Sequence, residues 1–453
     1  MLFRASLLAG YALIQLAFSA GSFASAQGVA ATAAGCTSPT MCGGGGLPAV
    51  AAKLRDAGRG ERQVHILQIG DSHTAGDMIT NGLRRRLQAR YGNGGRGVLA
   101  AGTPYRGYIT FGVTASETPG WRSNVIFGSR WQPDGPALGL SGFTRTARSA
   151  GQSLALATDS PEFNFDRAIL CALTGPGEGS VMIRMGDSDE TWSLDAPAPG
   201  AECKTLTSAQ PVSAASVTTL TDAQVSITSF GTFRGEGGVI VSNVGVVGAQ
   251  LEHFGRTDDR VLAQEFAAYR PDMIVLAYGT NEGFSSRLAL DAYEAGLRGQ
   301  VARIRRYAGR EVPIMLLGAP DAASRSAGMG ASCGSGAFTP NALGEVRSVQ
   351  RRVARELGLG FWDWEQAMGG RCAASQWVNS GLMRSDLVHF TREGGDRIGA
   401  MIFEDLERTR PAAATPPGAA PARTLPGVPA PQRRLTHPGQ AQEPAPQVRR
   451  QPN

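Results

Sequence analysis

Residues 64–69, Val-His-Ile-Leu-Gln-Ile, form a short apolar run rich in β-branched side chains that stops abruptly at Gly70-Asp71-Ser72. Such a run predicts a buried strand, and a helix-like stretch over 78–90 follows it. A serine at the carboxyl end of a buried strand, just before a helix, sits where open α/β sheets place their ligands. The next helix also directs unpaired backbone N–H groups toward that spot. The plainer role for Asp71 or Ser72 is that of a helix cap.

From residue 238 onward, strand-like and helix-like segments alternate. Strands are expected over 238–247, 272–278, 311–317 and 360–364, with helices over 260–269, 288–307, 341–357 and 392–408. That alternation implies right-handed crossovers and a parallel sheet covered on both faces. Residues 92–238 break the rhythm. They are rich in Gly, Ser and Thr, with short alternating runs at 180–185, 213–220 and 223–230, the pattern of an all-β, sandwich-like unit. The expected organisation is therefore an α/β domain made from 61–91 and 239–410, interrupted by an inserted β domain over 92–238. A leader over 27–60 precedes it.

Residues 1–26 read as a signal peptide: Arg4 supplies the positive start, 7–18 the apolar stretch and Ala24-Ser25-Ala26 a cleavage site before Gln27. No later stretch is long and apolar enough to cross a bilayer, so the expected product is exported, periplasmic or secreted, and not an integral membrane protein. Six cysteines, at 36, 42, 171, 203, 333 and 372, include no CxxC pair. In an oxidising compartment they favour disulfides over a metal site. Proximity suggests Cys36–Cys42, Cys171–Cys203 and Cys333–Cys372, among fifteen pairings that six cysteines allow. Setting aside Arg4 and the five arginines and one glutamate of 411–453, the formal +6 falls to about +1 for 27–410. That is no nucleic-acid footprint. The segment 411–453, rich in Pro, Ala and Gln, has the composition of a disordered tail.

Three distant segments give Ser72 a chemical context. Residues 243–248 read Asn-Val-Gly-Val-Val-Gly, 272–282 form an apolar run ending in Gly279-Thr-Asn-Glu282, and 386–389 read Asp-Leu-Val-His. With Gly70-Asp71-Ser72-His73, they resemble the four ordered sequence blocks of the SGNH, or GDSL, hydrolases. The resemblance implies a flavodoxin-like three-layer α/β fold and an acyl-serine mechanism without metal or organic cofactor. Ser72 would be the nucleophile, His389 the base and Asp386 the residue that orients it. Neutral imidazole suits proton acceptance near neutral pH. Oxyanion donors would be the amides of Ser72 and Gly248 and the side chain of Asn281. Gly245 competes with Gly248, which fits the family spacing from Asn243 better.

Two blocks depart from the commonest pattern, with His73 where Leu is usual and Glu282 where Asp is usual. Both resemble a branch acting on acetylated polysaccharides, and peptidoglycan O-acetylesterases look closest because they carry a carbohydrate-binding-module-like β domain at the position of the insertion. The resemblance thus implies an esterase removing O-acetyl groups from peptidoglycan or an exopolysaccharide. A polysaccharide O-acetyltransferase would use the same triad, and a noncatalytic polysaccharide-binding protein is the reading of another class. His65 is expected to pack within its strand, and His73 to border the site without transferring a proton. Trp121, Trp131 and Trp192, all in the insertion, are candidates either for its core or for stacking on sugar rings.

Overall fold

The computed structural model describes residues 35–409, except 45, 236, 309–311 and 327. The signal-peptide and tail readings lie outside the described residues. A parallel sheet runs Gly360–Trp362, Ile314–Leu317, Met273–Ala277, Gln63–Gly70, Gly238–Gly245 in space, with Met41–Cys42 added antiparallel beside Gly360–Trp362. The earliest parallel strand in the chain is thus flanked by the second and third. This reversal of strand order opens a crevice at the carboxyl edge, where ligands bind in open α/β sheets. Register sharpens the point. Gly70 is level with Gly245 on one side and with Ala277 on the other, so the three turns that follow these strands open at one height.

Both sheet faces are apolar because both are covered. Val64, Ile66, Val239, Val241, Met273 and Val275 meet Leu47, Leu54, Ile79, Leu83, Ile398 and Ile402 from helices Gly46–Gly58, Met78–Tyr91 and Arg392–Arg408. The expected leader therefore supplies an edge strand and a helix whose Leu47, Val50, Ala51, Leu54 and Ala57 are buried. Met78–Tyr91 and Arg392–Arg408 approach closely: a Cβ on Gly399 would stand 2.6 Å from the Leu83 nitrogen. This helix pair carries the closing segment of the chain back to the helix that follows Ser72.

The opposite sheet face packs on helices Asp259–Tyr269, Leu290–Tyr307 and Asn341–Leu357 and on the region between the first two parallel strands. That region holds two antiparallel sheets. One runs Ser188–Ser193, Ser180–Met185, Ala214–Thr219, Ser153–Thr158, Val113–Glu117. The other runs Gly200–Val212, Phe165–Thr174, Val225–Phe233, Phe143–Ala147, Arg122–Val125, and Gly97–Leu99 also pairs with Val225–Phe233. Strand Phe165–Thr174 shows how they are joined. Ala168, Leu170 and Ala172 face the apolar layer between the antiparallel sheets, whereas Ile169 and Cys171 join the cluster containing Leu67, Ile69, Ile240 and Val244 of the parallel sheet. A period of two sends alternate residues to two cores.

A polar tie crosses the same boundary. Glu265 of Asp259–Tyr269 accepts from the hydroxyls of Thr228 (2.8 Å) and Ser229 (2.5 Å) and from the Leu140 amide (2.5 Å). Disulfides join Cys36 to Cys42, Cys171 to Cys203 and Cys333 to Cys372. The last links the 330–340 hairpin to the start of helix Ala373–Asn379, just upstream of Asp386. Trp121 and Trp192 are buried in the β-region core, so sugar stacking is excluded for both, while Trp131 stays 37% exposed.

Candidate active site

At the end of Gln63–Gly70, Ser72 opens a one-turn helix, Ser72–Ala75, and the cap is Asp71, whose Oδ1 accepts the His73 amide at 2.9 Å. Capping therefore falls to Asp71, and the Ser72 hydroxyl points elsewhere. Its Oγ lies 3.0 Å from Nε2 of His389, a residue 317 positions away. His389 Nδ1 lies 2.9 Å from Asp386 Oδ2. Nucleophile, base and carboxylate candidates thus form one hydrogen-bonded series.

A tight turn builds the acid–base half. The Arg384 amide donates to the His389 carbonyl at 2.7 Å, and the Leu387 amide to the Arg384 carbonyl at 3.1 Å. Leu387 adopts φ 63° with its side chain buried against Ala323 and Ala337. Left-handed backbone at a branched, non-glycine residue costs of order 1–3 kcal/mol and persists where the surroundings enforce it. The turn lets Asp386 Oδ1 collect the amides of Val388 and His389, each at 2.9 Å, while Oδ2 faces the imidazole. Partial burial pushes the Asp386 carboxyl up, but the two amides and the His389 ring outweigh it and hold the group below its ordinary value.

The two neighbouring turns carry the expected oxyanion donors. Gly245 ends its strand beneath the Ser72 helix, where a Cβ would lie 2.3 Å from the Ala75 nitrogen. Its requirement for glycine is one of packing. Gly248 stands beyond the strand at φ 79°, a conformation that favours glycine, with Phe127 against it. Asn281 donates through Nδ2 to the Ala249 carbonyl at 2.9 Å, tying its turn to that of Gly248. The buried Glu282 reinforces the tie by accepting the amides of Leu251 (2.7 Å) and Gly279 (2.9 Å). Burial, only partly offset by those amides, pushes its pKa up to about 7.

A cleft of about 270 Å³ opens over Ser72 and His389, with Tyr105, Gly107 and Ile109 of the β region forming one wall and Val247 and Arg384 others. Tyr105, Ile109 and Arg384 were not among the sequence candidates. Residues 103–111 carry no periodicity, and Arg384 belongs to no motif, so only its place beside Asp386 could have drawn attention. His65 is packed as expected, with Nδ1 2.9 Å from the Tyr269 carbonyl and Nε2 2.7 Å from Ser242 Oγ. Among the described residues, no group of three or more His, Cys, Asp or Glu side chains is arranged to hold a metal ion.

Residues 231–397 match the model of the GDSL-like lipase/acylhydrolase family. The chain carries a GDSL-like lipase/acylhydrolase domain. The matched stretch contains Gly248, Asn281, Asp386 and His389, while Ser72 enters this GDSL-like domain from upstream through the strand between Gly238–Gly245 and Met273–Ala277. Among solved structures, a peptidoglycan O-acetylesterase in action is 28% identical, with a TM-score of 0.68, covering 81% of this chain and 98% of its own. An active-site mutant of a family two carbohydrate esterase from Clostridium thermocellum is 12% identical, with a TM-score of 0.26, covering 64% of this chain and 98% of its own. A salicylyl-acyltransferase from a tetracycline biosynthetic pathway is 15% identical, with a TM-score of 0.28, covering 65% and 95%. No curated protein matches the sequence.

Proposed function

We propose that this protein is an exported serine esterase that removes O-acetyl groups from peptidoglycan or another extracellular polysaccharide. The observation that carries the reading is the Ser72–His389–Asp386 series at the mouth of a cleft. Likeness to the peptidoglycan O-acetylesterase supports the acetyl ester and the polymer. Three disulfides fit export, and among the described residues no helix is long and apolar enough to cross a membrane.

Ser72 Oγ attacks the acetyl carbonyl carbon as His389 Nε2 takes its proton, and Asp386 holds the resulting imidazolium. The carbonyl oxygen becomes an anion facing the amides of Ser72 and Gly248 and the second N–H of Asn281 Nδ2, whose first is used by Ala249. Collapse breaks the ester bond, and His389 returns the proton to the departing sugar oxygen. Water, deprotonated by His389, then releases acetate and restores Ser72.

The two antiparallel sheets are read as a carbohydrate-binding-module-like insertion that presents polymer to the cleft, with Trp131 as its aromatic contact. One face of this exposed indole carries the Arg256 guanidinium, 3.6 Å from the ring centroid. Arg256 donates to the Ile126 carbonyl at 2.7 Å, next to the Phe127 that covers Gly248. The adjacent Arg130 donates to the Pro104 carbonyl at 2.7 Å, next to the cleft residue Tyr105. Trp131 is thereby tied, through Arg256 and Arg130, to the segments that adjoin Gly248 and Tyr105. Trp131→Ala is expected to lower acetate release from polymer by roughly tenfold or less, the scale of one aromatic contact, while a small acetyl ester is hydrolysed at the parental rate. The function itself is tested by quantifying acetate released from O-acetylated peptidoglycan and from other acetylated polysaccharides. No release from any of them would sink the reading.

A further inference from the structure

His73, the residue beside Ser72, has a ring enclosed on both sides by acceptors. Nδ1 lies 3.2 Å from Asp71 Oδ1, and Nε2 lies 2.9 Å from the Val388 carbonyl. A neutral imidazole has one N–H and one lone pair, so it can donate to only one of them. With an ionised carboxylate at one nitrogen and a carbonyl at the other, both bonds form only if the ring carries two protons. We propose that His73 is a positioning residue held as an imidazolium, clamping the segment that carries Ser72 to the segment that carries His389.

The clamp is placed where it can matter. Asp71 immediately precedes Ser72, and Val388 immediately precedes His389, so one ring spans the two backbones that set the Oγ–Nε2 distance. It is buried, edge-on to Trp364 and Phe390, with the His389 ring 5.6 Å away. Asp71 Oδ2 is buried without a hydrogen-bond partner, which makes a cationic neighbour the natural compensation for its charge. The other ionisable groups around the pair are Asp386 and His389 on the turn, Arg384 in the same cleft, and Tyr278 and Glu282, which face Asp71 from the far turn. Burial disfavours the charged ring, yet Asp71, the Val388 carbonyl and Asp386 outweigh it and hold its pKa above the ordinary value. The sign follows: a raised histidine pKa stabilises the clamped state most fully at low pH, and the contribution is lost as pH rises through the folded-state value. On the esterase reading, activity therefore requires His73 charged, a demand that bounds the active range on its alkaline side.

The kinetic consequence rests on the esterase reading; the charge state does not. The full chain, labelled with ¹⁵N-histidine, contains five histidines, and the His73 signals are assigned by their loss in His73→Gln. Long-range ¹H–¹⁵N spectra at neutral pH should show both His73 nitrogens protonated, and Asp71→Asn should move them to a single-tautomer pattern. A neutral His73 ring in the parent protein would overturn the proposal whether or not the protein hydrolyses esters. In kinetics, His73→Leu and His73→Gln should lower kcat for a small acetyl ester about 10–100-fold, the scale of a modest misplacement of reacting groups. KM should be little changed, and the alkaline limb of the pH profile should disappear while the acid limb stays. Parental kcat in either folded variant would refute the clamp. If neither variant folds, the alkaline limb of Asp71→Asn decides, because it too should be lost.

Discussion

Ser72→Ala and His389→Ala are each expected to lower kcat for a small acetyl ester by roughly 10⁴–10⁶-fold, with circular dichroism unchanged. Ser72 and His389 act as one unit, so losing either costs about as much as losing both, and the double variant should be no slower than the singles. Neither side chain fills the core: Ser72 is at the surface of the cleft and the His389 side chain is 39% exposed. Asp386→Asn should be milder. Its Oδ1 would still accept the Val388 and His389 amides that shape the turn, and the base itself remains. Steady-state kinetics on the purified variants decide the matter. A folded Ser72→Ala protein with parental turnover would remove the serine mechanism altogether.

Asp77→Ala should be the most damaging change outside the reacting groups. Asp77 is fully buried and accepts from Arg84 Nη2 (2.7 Å), Arg96 Nη2 (2.9 Å), Thr80 Oγ1 (2.6 Å) and the Phe111 amide (3.0 Å). Removing it leaves two buried guanidinium groups without their carboxylate, and breaking a buried pair in this way costs about 3–5 kcal/mol. Burial pushes the Asp77 carboxyl up, but Arg84 and Arg96 more than reverse this and hold it below the usual carboxylate range. Since the folded value is depressed, the stabilisation is present above the unfolded-state pKa and is lost as pH falls through the folded one. Denaturant titrations should show the difference between parent and variant shrinking at low pH. Function should suffer too. Arg96 also donates to Asn243 Oδ1 (2.6 Å), and Asn243 donates to the Thr74 carbonyl (2.9 Å), which connects Asp77 to the Ser72 helix.

Asn243 illustrates what sequence reading can and cannot reach. Its block was visible, but its job, joining Arg96 to the first turn after Ser72, depends on a contact 147 residues away. The leader shows another limit. Met41-Cys42 is too short to register as a strand, and its pairing exists only because Gly360–Trp362 presents a free edge. The antiparallel strands between the first two parallel ones were legible as β through their alternation. That Ile169 and Cys171 would serve the α/β core, with Glu265 buried against Thr228 and Ser229, was not. This shared core also makes excision of 92–238 a poor test of its role, because an apolar face and a buried carboxylate would lose their cover. A point change at Trp131 avoids that problem.

Local pattern by itself determined the strand–turn–helix around Ser72, the alternating elements after 238 and the helix bounds Asn341–Leu357 and Arg392–Arg408, which rest on periodicity and on neighbouring residues along the chain, information a sequence carries directly. The candidates at 72, 248, 281, 386 and 389 came instead from the resemblance of four ordered blocks to the SGNH hydrolases. Tertiary structure alone decided that Trp131 stays exposed while Trp121 and Trp192 are buried, that Tyr105 and Ile109 wall the cleft, and that both His73 nitrogens meet acceptors. The reason is physical. Burial, charge state and hydrogen-bond partnership depend on what packs against a residue, and here the deciding neighbours arrive through strand register and helix pairing, from about thirty residues away for Tyr105 and Trp121 to 315 for His73 and Val388.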